Sequence, residues 1–200
     1  MQDDNREYNR LFKLGKADVN WQLQTGEIPD GPLHAGIKDL IHAMNRLPFL
    51  YTTQSGAGGI HFRGQWNLFT PSEDGNGGAY AILPPQTRVM FWSGDLGLVL
   101  SAEKRATTFK NDLEALVARS PGASIKEGLS PLLQTENPDL KGRNMWIDFA
   151  ERAPTQKMPP HKAPVLPYAE AIRRDGYRRA FMSGLWALTI EYLDRAKQQK

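Results

Sequence analysis

Apolar residues recur at helical spacing in four segments of the chain, at positions i, i+3 and i+4. The first segment is short, and its apolar positions are Tyr8, Leu11 and Phe12. The two middle segments have clear ends, because Gly31-Pro32 opens one, Ser101 opens the other, and a proline follows each. The predicted helices are a short one around residues 8–12 and longer ones over residues 33–47, 102–120 and 168–197.

Short runs of apolar, β-branched and aromatic residues predict strands between these helices. The run Ser93-Gly94-Asp95 separates two of them, and its Gly-Asp pair suits the tight turn of a type II′ hairpin. The predicted strands cover residues 49–53, 60–69, 79–83, 87–92, 96–100 and 145–150. This order favours an α+β domain with a mainly antiparallel sheet, three or four flanking helices and a long C-terminal helix.

Five prolines among polar residues at 154–167 predict a stiff, extended connector. The connector divides the chain into an α+β domain over residues 1–153 and a helical segment over residues 168–200, which packs on the domain or on a partner. Gly176 is a candidate break within the last helix, because glycine is a weak helix former. The second half of that helix is apolar on more than one side, with Trp186 beside its main stripe. This pattern predicts contact with a protein partner or with another copy of the chain.

The amino-acid composition limits the kinds of chemistry that the chain can perform. Of its 200 residues, 40% are hydrophobic and 24% are charged, so it can form a core without disulfides or metals. It has no cysteine, which excludes thiol catalysis and cysteine-ligated zinc or iron–sulfur sites. The net charge of +3 is compatible with an anionic partner but does not require one. No apolar run approaches the roughly 18–20 residues of a membrane span, and the polar N-terminus has no signal-peptide core. We therefore expect a cytoplasmic protein without a membrane partner.

A run of small residues, Ser55-Gly56-Ala57-Gly58-Gly59, lies between two predicted strands. Glycines allow consecutive backbone N–H groups to point into one concavity, which can hold a phosphate or a carboxylate. The same glycines also suit a tight connection that needs positive φ angles, and both interpretations stay open. The standard phosphate-binding motifs, G-x-x-x-x-G-K-[ST] and G-x-G-x-x-G between a strand and a helix, do not occur here. The candidate ligand-binding residues are Thr53, Ser55, Gly56, Gly58, Gly59 and Arg63.

The same region carries a longer pattern, in which a helix leads through a short strand and the small-residue loop to a second strand. The residues that carry this pattern are Asn45, Tyr51, Thr52, Thr53, Ser55, Gly58 and Ile60. Between Ile37 and about Phe62 the pattern resembles the wybutosine-synthesis methyltransferase family of tRNA-modifying enzymes. Gln54, Gly56 and Gly59 stand where that family has serine, cysteine and arginine. The resemblance implies a site near this loop, at which S-adenosylmethionine supplies a methyl group to a modified guanosine beside a tRNA anticodon.

His61 and Arg63 follow the loop at alternate positions, so both lie on the same face of a strand. They are placed to contact an anion held by the loop, and a solvated strand face is the alternative. His61 is the best candidate for a general acid or base, because histidine titrates near physiological pH. His34 and His42 are two helical turns apart and His161 lies in the connector, so no metal site is predicted.

The strongest electrostatic feature is a cluster of four arginines around a tyrosine. Its members are Arg173, Arg174, Tyr177, Arg178 and Arg179. Arginines can neutralise phosphates, and a tyrosine ring can stack on a base. Residues i and i+4 are neighbours on a helix, so one face would hold concentrated positive charge. The alternative is a solvated helix face whose arginines pair with Glu170 and other acids.

These features lead to three hypotheses about function. The leading hypothesis is a non-catalytic binding module or complex subunit that uses no cofactor. It would contact a phosphate-bearing ligand, either RNA, DNA or a nucleotide, through the glycine-rich loop and the arginine cluster. The second hypothesis is an RNA-modifying, methyltransferase-like enzyme that uses S-adenosylmethionine. The third is a purely structural subunit that a protein partner recruits through the C-terminal helix.

Overall fold

The computed structural model describes residues 2–26, 35–61, 86–128, 140, 142–150 and 165–198. The helices within these residues are α1 (Gln2–Thr25), α2 (Ala35–Asn45), α3 (Lys104–Arg119) and α4 (Tyr168–Lys197). The strands are β1 (Leu50–Gly56), β2 (Gly59–His61), β3 (Arg88–Trp92), β4 (Asp95–Leu100), β5 (Ser124–Glu127), β6 (Asn144–Asp148) and β7 (Val165–Pro167).

The described strands form two antiparallel sheets. The first sheet has the strand order β1-β4-β6-β5, and the second has the order β2-β3-β7. Every neighbouring pair of strands is antiparallel. The predicted α+β fold with antiparallel pairing and a long C-terminal helix is therefore confirmed, although the strands divide between two sheets.

One bent, two-stranded ribbon joins the two sheets. Its first strand is β1 continued by β2, its second is β3 continued by β4, and the two run antiparallel. Gly56 pairs with Asp95 at the edge of the first sheet, Gly59 pairs with Trp92 at the edge of the second, and the register is unchanged between them. The hairpin predicted at Ser93-Gly94-Asp95 is therefore wrong. These residues carry the chain from one sheet to the other, and β3 does not pair with β4.

The first sheet is buried on both of its faces. Leu98 and Leu100 of β4 belong to the largest core cluster, which also contains side chains of α2, α3 and α4. The intervening Val99 packs with Tyr51 and with Tyr8 of α1 in a second cluster. Because both faces are covered, β4 is an uninterrupted apolar run rather than an alternation of apolar and polar residues.

The second sheet packs against the N-terminal half of α4. Val89 and Phe91 of β3 form a cluster with Tyr168 and Ala171 of that helix. Further along the same helix, Phe181 belongs to the core of the first sheet. Helix α4 therefore contributes side chains to the cores of both sheets.

Two helices are longer than the sequence pattern predicts. Helix α1 has 24 residues, whereas a short helix around residues 8–12 was expected. Helix α4 is continuous over 30 residues, so the break expected at Gly176 does not occur. A Cβ atom built on Gly176 would have no heavy atom within 4 Å, which shows that this glycine lies on the open side of the helix.

The C-terminal ends of α2 and α3 agree with the prediction, whereas the start of α3 does not. Helix α2 ends ahead of Pro48, and α3 ends ahead of Pro121. At the start of α3 the N-cap is Glu103 rather than Ser101, and no side chain caps it. The Ser101 hydroxyl instead accepts a hydrogen bond from the backbone N–H of Glu103 at 3.3 Å.

Two strands form outside the segments in which strands were predicted, and some predicted elements cannot be compared with the structure. Strand β5 lies in a segment for which no strand was predicted, and β7 forms at the end of the predicted connector. The helix start at Gly31-Pro32, the strand at 79–83 and the part of the predicted strand beyond His61 lie outside the described residues. None of the described helices is long and apolar enough to cross a membrane.

Candidate functional site

The bend of the ribbon brings two glycines against each other's backbone. Gly58 has a φ angle of +68° and Gly94 one of +74°. A Cβ atom on Gly58 would lie 2.4 Å from the backbone nitrogen of Gly94, and one on Gly94 would lie 2.7 Å from the carbonyl oxygen of Ala57. Neither position has room for a side chain. The tight-connection interpretation therefore accounts for these two glycines without a ligand.

The remaining small residues of the predicted loop lie in strands. Ser55 and Gly56 belong to β1 and pair with β4, and Gly59 belongs to β2 and pairs with β3. Thr53 is exposed and lies at a register shift of β1. The connection between the sheets is thus only Ala57-Gly58, much shorter than the five-residue loop that the sequence suggested.

Arg178 of α4 connects the arginine cluster to this bend. Its Nη1 donates a hydrogen bond to the carbonyl oxygen of Ala57 at 2.6 Å. Its Nε and Nη2 contact Oδ1 of Asp175 at 2.8 and 2.7 Å. Arg178 and Asp175 are both buried. The structure therefore brings the two predicted site regions together, through a side chain that is largely removed from solvent.

The other three arginines also hold carboxylates of α4. Glu170 accepts hydrogen bonds from Arg173, at 2.7 and 2.9 Å, and from Arg174 at 2.6 Å. These hydrogen bonds lower the pKa of Glu170 to about 2. Nε of Arg179 donates to Oδ2 of Asp175 at 2.7 Å. The predicted pairing with Glu170 is thus present, and it extends to a second acid.

The four arginines differ in their access to solvent. The side chains of Arg173 and Arg179 are 54% and 47% exposed, whereas that of Arg174 is 9% exposed. The Arg173 guanidinium lies 5.5 Å from the centroid of the Tyr177 ring and donates to its hydroxyl at 3.3 Å. Gly176 lies three residues from both Arg173 and Arg179 on this helix, and a Cβ atom built on it would meet no heavy atom of the described residues within 4 Å. We call Arg173, Gly176, Tyr177 and Arg179 the α4 arginine surface.

Two residues that carry the family resemblance have a structural role. The Asn45 amide nitrogen donates to the carbonyl oxygen of Ile41 at 2.8 Å and to the Thr52 hydroxyl at 2.7 Å. The backbone N–H of Thr52 donates back to Oδ1 of Asn45 at 3.1 Å. Both residues are buried, so this reciprocal pair fixes the end of α2 against β1.

A lysine that the sequence pattern did not single out stabilises the same end of α2. Nζ of Lys16 donates to the carbonyl oxygens of Asn45, Leu47 and Leu50 at 2.5, 3.0 and 2.6 Å. Burial lowers the pKa of Lys16 to about 8. The spacing of Lys16 four residues after Phe12, on the buried side of α1, was the available signal.

The remaining predicted site residues lie at the end of β2 or outside the described residues. His61 is the last residue of β2 and pairs with Met90, and Arg63 lies outside the described residues. On the C-terminal half of α4, Trp186 is 41% exposed and Met182 is partly buried. Within the described ranges, no group of three or more histidine, aspartate or glutamate side chains is arranged to hold a metal ion.

Comparison of the chain with models of protein families, with curated proteins and with solved structures gives no match.

Proposed function

We propose that the chain is a non-catalytic binding protein that contacts a phosphate-bearing ligand, RNA, DNA or a nucleotide, through the α4 arginine surface. One observation carries the proposal: two exposed guanidinium groups are held on either side of a glycine that leaves the helix backbone open. The segment from Glu170 to Arg179 contains four arginines and two acids, so it keeps a formal charge of +2. This local excess is most of the net charge of the chain, which is +3.

The ion pairs of Arg173 and Arg179 do not prevent binding of a phosphate. Arg173 pairs with Glu170 at the surface, and such ion pairs contribute only about 0–1 kcal/mol to stability, so Arg173 can exchange its carboxylate for a phosphate at small cost. Asp175, the partner of Arg179, is buried, but it keeps its ion pair with Arg178 when Arg179 turns to a phosphate. A guanidinium also presents parallel N–H donors that match two phosphate oxygens. Before a ligand binds, the carboxylates of Glu170 and Asp175 keep the two guanidinium groups at the surface of the helix.

Tyr177 adds an aromatic surface next to Arg173. Stacking of a base on an aromatic side chain contributes about 1–3 kcal/mol and is tolerant of sequence. A strand with one phosphate at each arginine and a base on Tyr177 would satisfy all three side chains. Arg178 has a different role in this proposal: it is a positioning residue, because its guanidinium is buried against Asp175 and Ala57.

The proposal is tested by fluorescence anisotropy with labelled oligouridylate and oligothymidylate at several salt concentrations. We expect the logarithm of the affinity to fall linearly with the logarithm of salt, by about 0.7 for each phosphate that is neutralised. The double variant Arg173→Ala/Arg179→Ala should bind more weakly and have a slope that is smaller by about 1.4. Arg119→Ala is the matched control, because Arg119 is an exposed arginine at the end of α3.

Two results would contradict the proposal: no salt-dependent binding, or equal binding by the double variant and the control. Native mass spectrometry of the purified protein adds an independent readout of the ligand class. A retained nucleic acid or nucleotide supports the proposal. A retained S-adenosylmethionine would instead favour the methyltransferase-like hypothesis, which the resemblance around residues 37–62 implies.

A further inference from the structure

A groove of about 720 Å³ lies between the second half of α1, the turn after α2 and the last turns of α4. Small-molecule sites in proteins usually have volumes of about 300–1,000 Å³, so this groove suits a small ligand. It is separated from the α4 arginine surface by roughly 30 Å along the axis of α4. The groove is therefore a candidate site that is separate from the α4 arginine surface.

Cations and carboxamides line this groove. The cationic side chains are Lys16, Arg46 and Lys197, and the exposed or partly exposed carboxamides are Asn20 and Gln24. No carboxylate is among the lining residues. The nearest ion pair joins Lys197 to Asp194 at 2.7 Å. The groove is therefore suited to an anion that also carries hydrogen-bonding groups.

Several of these side chains have no partner among the residues that the structure describes. Within the described part of the chain, no hydrogen bond or ion pair engages the side chains of Asn20, Gln24 and Arg46. Ligand sites usually fix the orientation of a ligand with a small number of converging polar groups. A ligand with acceptor and donor groups would satisfy them.

Lys16 lines the groove but is already engaged by the protein. Its ammonium group already donates to three backbone carbonyls at the C-terminal end of α2. It thereby offsets the negative end of the helix dipole. Arg46 also lines the groove, and its side chain is exposed. Its positive charge is therefore accessible to a ligand in the groove.

We propose that this groove binds a small organic phosphate, with Arg46 and Lys197 on the phosphate group. A phosphate suits these two cations because it offers acceptor oxygens to both of them, and the exposed Lys197 can exchange Asp194 for a phosphate oxygen at small cost. Asn20 and Gln24 would hydrogen-bond the polar atoms of the organic part, and Leu193 would contact its apolar surface. The proposal does not rest on the nucleic-acid contact proposed for the α4 arginine surface.

Isothermal titration calorimetry with AMP, adenosine and inorganic phosphate tests this proposal. We expect AMP to bind with a Kd of about 0.1–1 mM, and adenosine to bind about tenfold or more weakly because it lacks the phosphate. Arg46→Ala should weaken AMP binding by about tenfold. Arg46 is exposed, so this variant is expected to fold, and Arg119→Ala is again the matched control.

The outcomes separate this groove from the α4 arginine surface. AMP binding that persists in Arg173→Ala/Arg179→Ala but is weakened by Arg46→Ala supports the groove. Binding that is lost in the double variant and unchanged in Arg46→Ala overturns the groove and supports the other surface. Absence of AMP binding, with or without binding of inorganic phosphate, also overturns a site for organic phosphates.

Discussion

Arg178 donates a hydrogen bond to the carbonyl oxygen of Ala57, a residue 121 positions earlier in the chain, at 2.6 Å. The same guanidinium holds the buried carboxylate of Asp175. One side chain therefore connects the last helix to the point at which the chain passes between the two sheets.

Replacement of Arg178 by methionine is expected to destabilise the fold strongly. The variant leaves the buried Asp175 with one arginine fewer and leaves the Ala57 carbonyl without this donor. Removal of one partner of a buried ion pair costs about 3–5 kcal/mol, and we expect the lower part of that range because Arg179 still contacts Asp175. Urea denaturation monitored by circular dichroism measures the loss. The exposed Arg173→Ala variant serves as control, and a similar stability of both variants would contradict a structural role for Arg178.

Substitution of Gly58 by alanine is expected to destabilise the ribbon by about 3 kcal/mol or more. The new Cβ would lie 2.4 Å from the Gly94 nitrogen, and the φ angle of +68° disfavours any side chain. Gly176→Ala is the matched control: it lies in an open helical position and should stabilise the protein by about 1 kcal/mol. Thermal unfolding of the two variants provides the comparison. Equal effects would show that the bend does not require glycine.

Lys16→Met is expected to weaken the attachment of α1 to α2. Three carbonyl oxygens lose their shared donor, and buried acceptors without a partner destabilise a protein by about 1–3 kcal/mol. Lys13→Met, an exposed position on the same helix, should change stability by about 0.5 kcal/mol or less. Amide hydrogen exchange at the end of α2 would localise the effect. Unchanged exchange there would contradict this role of Lys16.

Acidification should reveal the ion pairs of Glu170. The pKa of this carboxyl is lowered from 4.5 to about 2 in the folded chain, chiefly by its hydrogen bonds to Arg173 and Arg174. An acid with a lowered folded-state pKa contributes stability that is present above its unfolded-state pKa. That contribution should decrease as the pH falls from about 4.5 towards 2. NMR titration of the Glu170 side-chain carbon measures the pKa directly, and a value near 4.5 would contradict the ion pairs.

Some of the fold could be predicted from local sequence because the signals are themselves local. The apolar stripe of α2, with Leu40, Ile41 and Met44, needs only the helical period to be recognised. The passage of the chain between the two sheets at Ser93-Gly94, where the sequence predicted a hairpin, was not predictable in this way. A glycine with positive φ serves a tight turn and a bend between sheets equally well, and only the pairing partners of β3 and β4 distinguish the two.

In the candidate site, the ion pairs within α4 could be predicted from the sequence, but the burial of individual arginines could not. The i, i+3 and i, i+4 spacing of acids and arginines in α4 is visible in the sequence, and the ion pairs with Glu170 follow from it. The burial of Arg174 and Arg178, in contrast to Arg173, depends on which side of α4 faces the second sheet. That orientation is set by residues far away in the chain, such as Val89 and Phe91.

The position of α4 in both cores has a consequence for the timing of folding. Tyr168 and Ala171 complete the cluster of the second sheet, and Phe181 and Leu185 complete that of the first. A chain that is still being synthesised lacks these side chains until residue 168 and those beyond it have been added. During that interval neither apolar cluster can close. Apolar surface that stays exposed during synthesis favours aggregation. Helix α4 is therefore needed to cover the apolar surface of both sheets.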